Sequence, residues 1–216
     1  MIRKVIFALA ILLIFAGTVT AQKTIDLPQP KNDSKVSLER TISLRRSERE
    51  YTEQDLNLNQ LSQILWAAQG ITDPNYGFRT APSAGALYPL QIHVVKKDGV
   101  FRYLPDGHKL LEVSSEDKRA SLARASLGQT AVRNAPVIIV ISANFSITQA
   151  KYGARAFRYV CMEIGHVAEN IHLQVVSLGL ASVAVGAFWD DVIKETLSLS
   201  ENQDVLYLIP IGYLKK

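Results

Sequence analysis

Arg79-Thr80-Ala81-Pro82-Ser83-Ala84-Gly85-Ala86-Leu87-Tyr88-Pro89 is neither a strand nor the body of a helix. Pro82 and Pro89 fix φ and remove backbone donors, and Gly85 permits the close approach of another group. Residues 82–86 are small, so their N–H groups are sterically open, and a strand-like run, Gln91–Val95, follows at once. A turn of exposed amides pinned between an arginine and a strand suits an anion or a planar ring system. An ordinary Pro/Gly connection has the same composition, and this stretch alone does not separate the two.

Downstream, Gln91–Lys96 reads as a strand, Asp98-Gly99 as a hairpin signal and Val100–Leu104 as the returning strand. Pro105-Asp106-Gly107 makes another turn before a third short strand, Leu110–Val113. This meander is expected to be an insertion that shapes a wall rather than a chemical centre, with His108 a solvated loop histidine. Glu116–Leu127 reads as a helix ended by Gly128, and Val137–Ile141, opened by Pro136, as a buried central strand. Ala181–Val185 reads as a buried strand, and Gly186-Ala187 offers two small residues with open amides. Asp190 caps a short helix to Leu197, and Val205–Ile211 is the last strand.

Gln149–Leu178 is the longest helical segment. Phe157, Val160, Cys161, Ile164, Val167, Ala168, Ile171, Val175 and Leu178 fall on one face at helical spacing. That places Cys161 in the core as an inert thiol. Arg155, Tyr159, Glu163, His166, Asn170 and Gln174 share the opposite face, which suits either a subunit interface or the lining of a polar ligand site. Glu163-x-x-His166 is half of a carboxylate-bridged di-metal pattern, but no second Glu-x-x-His occurs, so no metal is expected.

Upstream, Leu58, Leu61, Ile64, Leu65 and Ala68 give helical spacing within Leu56–Gln69, stopped by Gly70. Leu38–Arg45 is a short helix leading into Arg45-Arg46-Ser47-Glu48-Arg49-Glu50-Tyr51. Arginine forks match phosphate oxygens two at a time, and a serine hydroxyl adds a third donor. A solvated face, with Glu48 and Glu50 paired to the arginines, has the same composition. Strands and helices mix without regular βαβ alternation, which predicts an α+β fold, one sheet with helices packed on it.

Arg3 and Lys4, the apolar run Val5–Ala16 and the small residues ending Val19-Thr20-Ala21 form the three-part pattern of an export signal. The reading is a signal peptide over 1–21, an extended arm over 22–37 and one domain over 38–216, acting in the periplasm or as a secreted protein. Once the signal is cleaved, no stable membrane association is expected. The net charge of +4 includes Arg3 and Lys4, and no run of five like charges occurs, which argues against nucleic acid as a partner. Cys161 is the only cysteine, so no internal disulfide can form.

Taken together, Arg45–Tyr51, Pro82–Pro89, Arg158-Tyr159 through Gly165-His166 to Asn170, and Val185-Gly186-Ala187-Phe188 resemble the nitroreductase superfamily. More narrowly, they resemble its small branch related to the azoline dehydrogenases, which make thiazoles and oxazoles in peptides. The similarity spans about Leu38 to Tyr213. It implies an FMN-binding homodimer with each flavin at the subunit interface, a mostly antiparallel central sheet flanked by helices, and one long central helix.

The resemblance also assigns roles. Arg45, Arg46 and Ser47 fall on the phosphate-gripping Arg-x-Ser, and Arg49 on a cation near the N1–C2 carbonyl edge of the ring, where reduction places negative charge. Pro82, Ser83, Ala84 and Gly85 match the loop that meets the neighbouring subunit's flavin, and Gly186 and Ala187 the amides near N5. Lys151 and Tyr152 match a catalytic Lys-Tyr pair. Ala86 and Tyr88 replace the Asn and Gln of the broader nitroreductases. Lys215 stands where many relatives continue into a basic tail.

The implied activity is an exported FMN-dependent oxidoreductase, moving a hydride between flavin and a small-molecule or peptide substrate, with the dehydrogenase direction favoured. An NAD(P)H-dependent nitro or quinone reductase is the alternative. A secreted binding module on the same fold, without turnover, is the alternative of another class.

Overall fold

The computed structural model describes residues 23–215, and the export segment expected over residues 1–21 lies outside them. Among the described residues no helix is long and apolar enough to cross a membrane. The predicted arm is part of the fold. Its β1 (Thr24–Asp26) extends the sheet at one edge, Leu27 is buried, and Ser34 Oγ meets Ser177 Oγ at 2.7 Å.

α1 (Leu38–Leu44) starts where Ser37 Oγ accepts from the Arg40 N–H at 3.2 Å. α2 (Leu58–Gln69) opens on a reciprocal capping box between Asn57 and Gln60. A small hairpin, β2 (Ile71–Asp73) and β3 (Phe78–Arg79), leads into the Pro82–Pro89 turn. β4 (Leu90–Lys96), β5 (Gly99–Leu104) and β6 (Lys109–Ser114) follow as an antiparallel meander. Then come α3 (Arg119–Ala125), α4 (Thr130–Asn134), β7 (Val137–Ala143), α5 (Phe145–Tyr152) and α6 (Ala156–Ser177). β8 (Ala181–Ser182), α7 (Asp190–Thr196) and β9 (Asp204–Gly212) complete the described chain.

The main sheet has seven strands in the order β1-β6-β5-β4-β7-β9-β8, and each named pairing is antiparallel. β7 shows why it lies in the middle. Val137, Ile139, Ile141 and Ala143 point into the core shared with α2 and α6, while Ile138 and Val140 point into the core shared with α3, α4 and α7. A strand with an unbroken apolar run, Val137–Ile141, needs cover on both faces, and helices supply it.

Several expectations are corrected here. The meander is no inserted wall, because β4 pairs with β7 over seven residues and forms the middle of the sheet. His108 is not solvated but half-buried, with Nε2 at 2.7 Å from Ser62 Oγ and Nδ1 at 2.8 Å from Tyr103 OH. Cys161 is exposed and Phe157 is 68% exposed, since the buried arc of α6 is narrower than its apolar composition. Asp190 lies inside the first turn of α7, with Trp189 at the cap position. The predicted Glu116–Leu127 helix spans only Arg119–Ala125, and the predicted Gln149–Leu178 helix is divided at Gly153. Gly153 adopts φ 52° and ψ −133°, a conformation open essentially to glycine, so α5 ends there and α6 starts on a new axis.

Candidate active site

Two groups of predicted residues assemble at different places around α6. The first begins where α1 ends. From Arg45 the chain runs extended, with Ser47 bridging Ser182 in parallel and the Glu48 N–H donating to Ser182 O at 3.0 Å. Tyr51 is buried, and its hydroxyl donates to Glu48 O at 2.6 Å and Pro210 O at 3.2 Å, which locks the segment to β9. Burial pushes that phenol above its ordinary value.

The three arginines divide their work. Arg46 NH1 donates to Ser43 O and Arg45 O, so one nitrogen of its fork caps α1 while, among the described residues, the others stay open. Arg49 donates to Ser47 O at 3.1 Å, and Arg45 Nε stands 4.0 Å from Glu169 Oε1. Both keep further donors for an anion. The Lys215 N–H donates to Glu50 O at 3.1 Å, which brings the end of the described chain beside this segment.

His172, which sequence reasoning missed, lies under the same segment, with Nδ1 at 2.7 Å from Ser182 Oγ. Burial, with Arg45 nearby, depresses its pKa to about 4. Its only sequence signal is a polar residue directly after the core position Ile171. Gly186 and Ala187 lie four and five residues beyond Ser182, at most about 17 Å of extended chain. Both are exposed, and among the described residues neither N–H has a hydrogen-bond partner.

The second group is the loop after β3. Ala84–Ala86 forms a single 3₁₀ turn, with Gly85 at φ 63°, Ala86 at φ 54° and Tyr88 at φ 48°. Left-handed backbone at the two non-glycine residues costs about 1–2 kcal/mol each, so the surroundings must hold the loop in shape. Ser83 Oγ accepts from the Tyr88 N–H at 2.9 Å and donates to Glu163 Oε2 at 2.5 Å. The Arg79 N–H donates to Tyr88 OH at 3.1 Å, its guanidinium stacks on the Tyr88 ring at 4.4 Å, and its NH1 donates to Gln69 Oε1 at 2.8 Å.

Lys151 and Tyr152, at the end of α5, close over this loop. A Cβ built on Gly85 would lie 2.7 Å from Tyr152 OH and 2.8 Å from Lys151 Nζ. Tyr152 is held edge-on by Tyr159 of α6, ring centroids 5.1 Å apart. Glycine is required at position 85 both by the positive φ and by this contact.

α6 fixes how the two groups relate. Glu163, under the loop, and His172, under the arginine segment, are nine residues apart, about 14 Å and two and a half turns. They therefore lie on opposite sides of the helix, with the exposed strip Arg158, Met162, Gly165, His166 and Glu169 between them.

The donor set suits a phosphorylated planar ring. Arg45, Ser47 and Arg49 offer cationic and hydroxyl donors, and Gly186 and Ala187 offer two unpartnered amides at flat, side-chain-poor backbone. Among the described residues no cluster of His, Cys, Asp or Glu suits a metal ion.

A profile of the nitroreductase family matches residues 42–213. A nitroreductase-named protein of Methanocaldococcus jannaschii is 45% identical over 183 residues, covering 82% of this chain and 91% of that protein. The crystal structure of a nitroreductase-named protein of Ralstonia eutropha superposes with a TM-score of 0.82 at 31% identity, covering 91% of this chain and 92% of the other. The Escherichia coli microcin synthetase McbBCD complex with truncated pro-MccB17 contains a chain similar in fold, with a TM-score of 0.69 at 21% identity over 98% of this chain and 85% of that one. The microcin B17-processing protein McbC of E. coli is 24% identical over 157 residues, covering 68% of this chain and 58% of McbC.

Proposed function

This chain belongs to the nitroreductase family of FMN-dependent oxidoreductases, and from that premise we propose that it oxidises a C–H bond of a small-molecule or peptide substrate in the dehydrogenase direction. One observation carries this reading: the tips of Lys151 and Tyr152 converge on Gly85, in the loop expected to face the ring. FMN, when bound, supplies a two-electron acceptor for the hydride. The rest is the work of side chains and amides. Arg45 and Ser47 would hold the phosphate, Arg49 would supply a cation to the ring as negative charge develops on reduction, and the Gly186 and Ala187 amides would donate to the ring. Lys151 and Tyr152 take the proton released as the substrate carbon is oxidised. Lys151→Ala and Tyr152→Phe are each expected to lower turnover about 10²-fold or more, with FMN content unchanged. Unchanged turnover in both variants would remove the pair from the mechanism. Rapid anaerobic bleaching of the flavin by NADPH would favour the reductase alternative instead.

We also infer that the active unit is a homodimer. The loop and the arginine segment meet different faces of α6, through Glu163 and Glu169, and the family resemblance expects the loop to serve the neighbouring subunit's ring. A second copy packed along the exposed strip of α6 would bring the loop of one subunit to the arginines of the other. Gly165 supports this. A glycine inside a helix costs about 1 kcal/mol relative to alanine, and beyond the neighbouring helix backbone no described atom lies within 4 Å of a Cβ built there. Phe157, Met162, Leu38 and Ile42 add exposed apolar surface. Purified residues 22–216 should elute as a dimer and retain about one FMN per chain after gel filtration, read by light scattering and flavin absorbance. A flavin-loaded monomer would contradict the shared site, and a protein that retains no FMN would favour the binding-module alternative. The proposed place of action is outside the cytoplasm, on the signal pattern of residues 1–21.

A further inference from the structure

Glu163 is 2% exposed, and its Oε1 has no hydrogen-bond partner. Gln69 lies alongside it, but Gln69 Nε2 is also unpartnered, so the two fall short of a bond. An uncompensated carboxyl in this position is costly, and packing alone does not require it. Its one bond, to Ser83 Oγ at 2.5 Å, has the length of an O–H···O contact to a charged oxygen. Ser83 has a single proton and two lone pairs, one of which takes the Tyr88 N–H. When Glu163 is ionised, that proton is held inward. When Glu163 is neutral, its own O–H donates to Ser83, whose proton turns outward beside the open Ala84 and Gly85 amides.

We propose that Glu163 is a positioning residue that acts through Ser83, setting whether the Pro82–Gly85 loop presents a hydroxyl donor to the bound ring. This rests on the flavin reading above. Burial is the largest influence on Glu163 and raises its pKa to about 7, so the two forms exchange near neutrality. The groups that act on it are Ser83 of the loop, Arg79 from β3 and uncharged Gln69 from α2, while Tyr88, Lys151 and Tyr152 contact the same loop further out. The Ser83 bond, then Arg79 and Gln69, act against burial and favour the ionised form.

The test is FMN affinity by fluorescence titration at pH values from about 6 to about 9, in the wild type, Glu163→Gln and Ser83→Ala. Wild-type affinity is expected to fall about tenfold as pH rises through about 7, the loss of one hydrogen bond. Glu163→Gln cannot ionise and should stay tight across the range, and Ser83→Ala should be weak and flat. The comparison with Glu163→Gln cancels the titration of the FMN phosphate itself. Infrared difference spectra should show a protonated carboxyl band that titrates near pH 7 and is absent in Glu163→Gln. Binding that ignores pH in the wild type, or the same pH dependence in Glu163→Gln, overturns the proposal alone. No FMN binding at any pH removes both the proposal and the flavin reading.

Discussion

Gly85→Val should reduce turnover by about 10²-fold or more at a stability cost of only about 1–2 kcal/mol. Two effects act at this residue. Valine is strained at φ 63°, which costs about 1–2 kcal/mol in an exposed loop. Its Cβ would also stand 2.7 Å from Tyr152 OH and 2.8 Å from Lys151 Nζ. Both atoms are far ends of flexible side chains, so they give way before the backbone does. A displacement of about 1 Å at a catalytic group is enough to cost about 10² in rate. Gly128→Ala is the control, because Gly128 has φ 70° but no neighbour closer than Arg133 NH2 at 3.6 Å. It should lose stability without losing turnover. Steady-state rates and thermal midpoints of the FMN-loaded proteins decide the matter. If Gly85→Val turns over normally, Lys151 and Tyr152 are not held by this loop in the working enzyme.

Acid should destabilise the fold by about 3 kcal/mol between pH 7 and pH 4, a large share of a domain's usual 5–15 kcal/mol. Three buried groups decide the sign. Burial, with Arg102 nearby for His93 and Arg45 for His172, lowers both histidines from 6.5 to about 4. The unfolded chain therefore takes up protons at a pH where the native chain refuses them, and acid favours unfolding by about 3 kcal/mol per histidine.

Glu163 works in the opposite sense. Burial raises it from 4.5 to about 7, so in that window the native chain holds a proton that the unfolded chain has lost, and acidification returns about 3 kcal/mol. Two histidines outweigh one glutamate. Glu163→Gln removes the opposing group, so its stability should fall more steeply with acid and should exceed the wild type's by about 3 kcal/mol above pH 8. Urea midpoints across this range measure both slopes. A wild-type curve that rises on acidification would show that Glu163 outweighs the histidines.

Much of the fold was legible because its signals are local. β7 carries the unbroken apolar run Val137–Ile141, α2 repeats its apolar residues at helical spacing, and Asp98-Gly99 sits between two strand-like runs. The boundaries moved where a single backbone conformation decided them, as at Gly153, whose φ leaves no trace in hydrophobic periodicity. The meander was misplaced because Leu90–Lys96 looks the same from sequence whether it lies at an edge or in the centre. Only its pairing with β7 settles that.

The site divides in the same way. Arg45, Ser47, Gly85, Lys151, Tyr152, Gly186 and Ala187 were readable as residue types in a recognisable order. Chain order carries no distances, however. The sequence by itself determined an α+β chain with a polar-faced helix, a glycine-bearing turn of open amides and a cluster of arginines. Tertiary packing alone decided that Lys151 and Tyr152 meet at Gly85, that Arg46 turns back onto α1, and that His172 lies beneath the arginine segment. It alone placed Glu163, one residue of the polar face read as a subunit interface or a ligand lining, in the interior under Ser83. The physical reason is that burial, and with it the direction of a proton, depends on what lies across a helix face, and those neighbours come from segments far away in the chain.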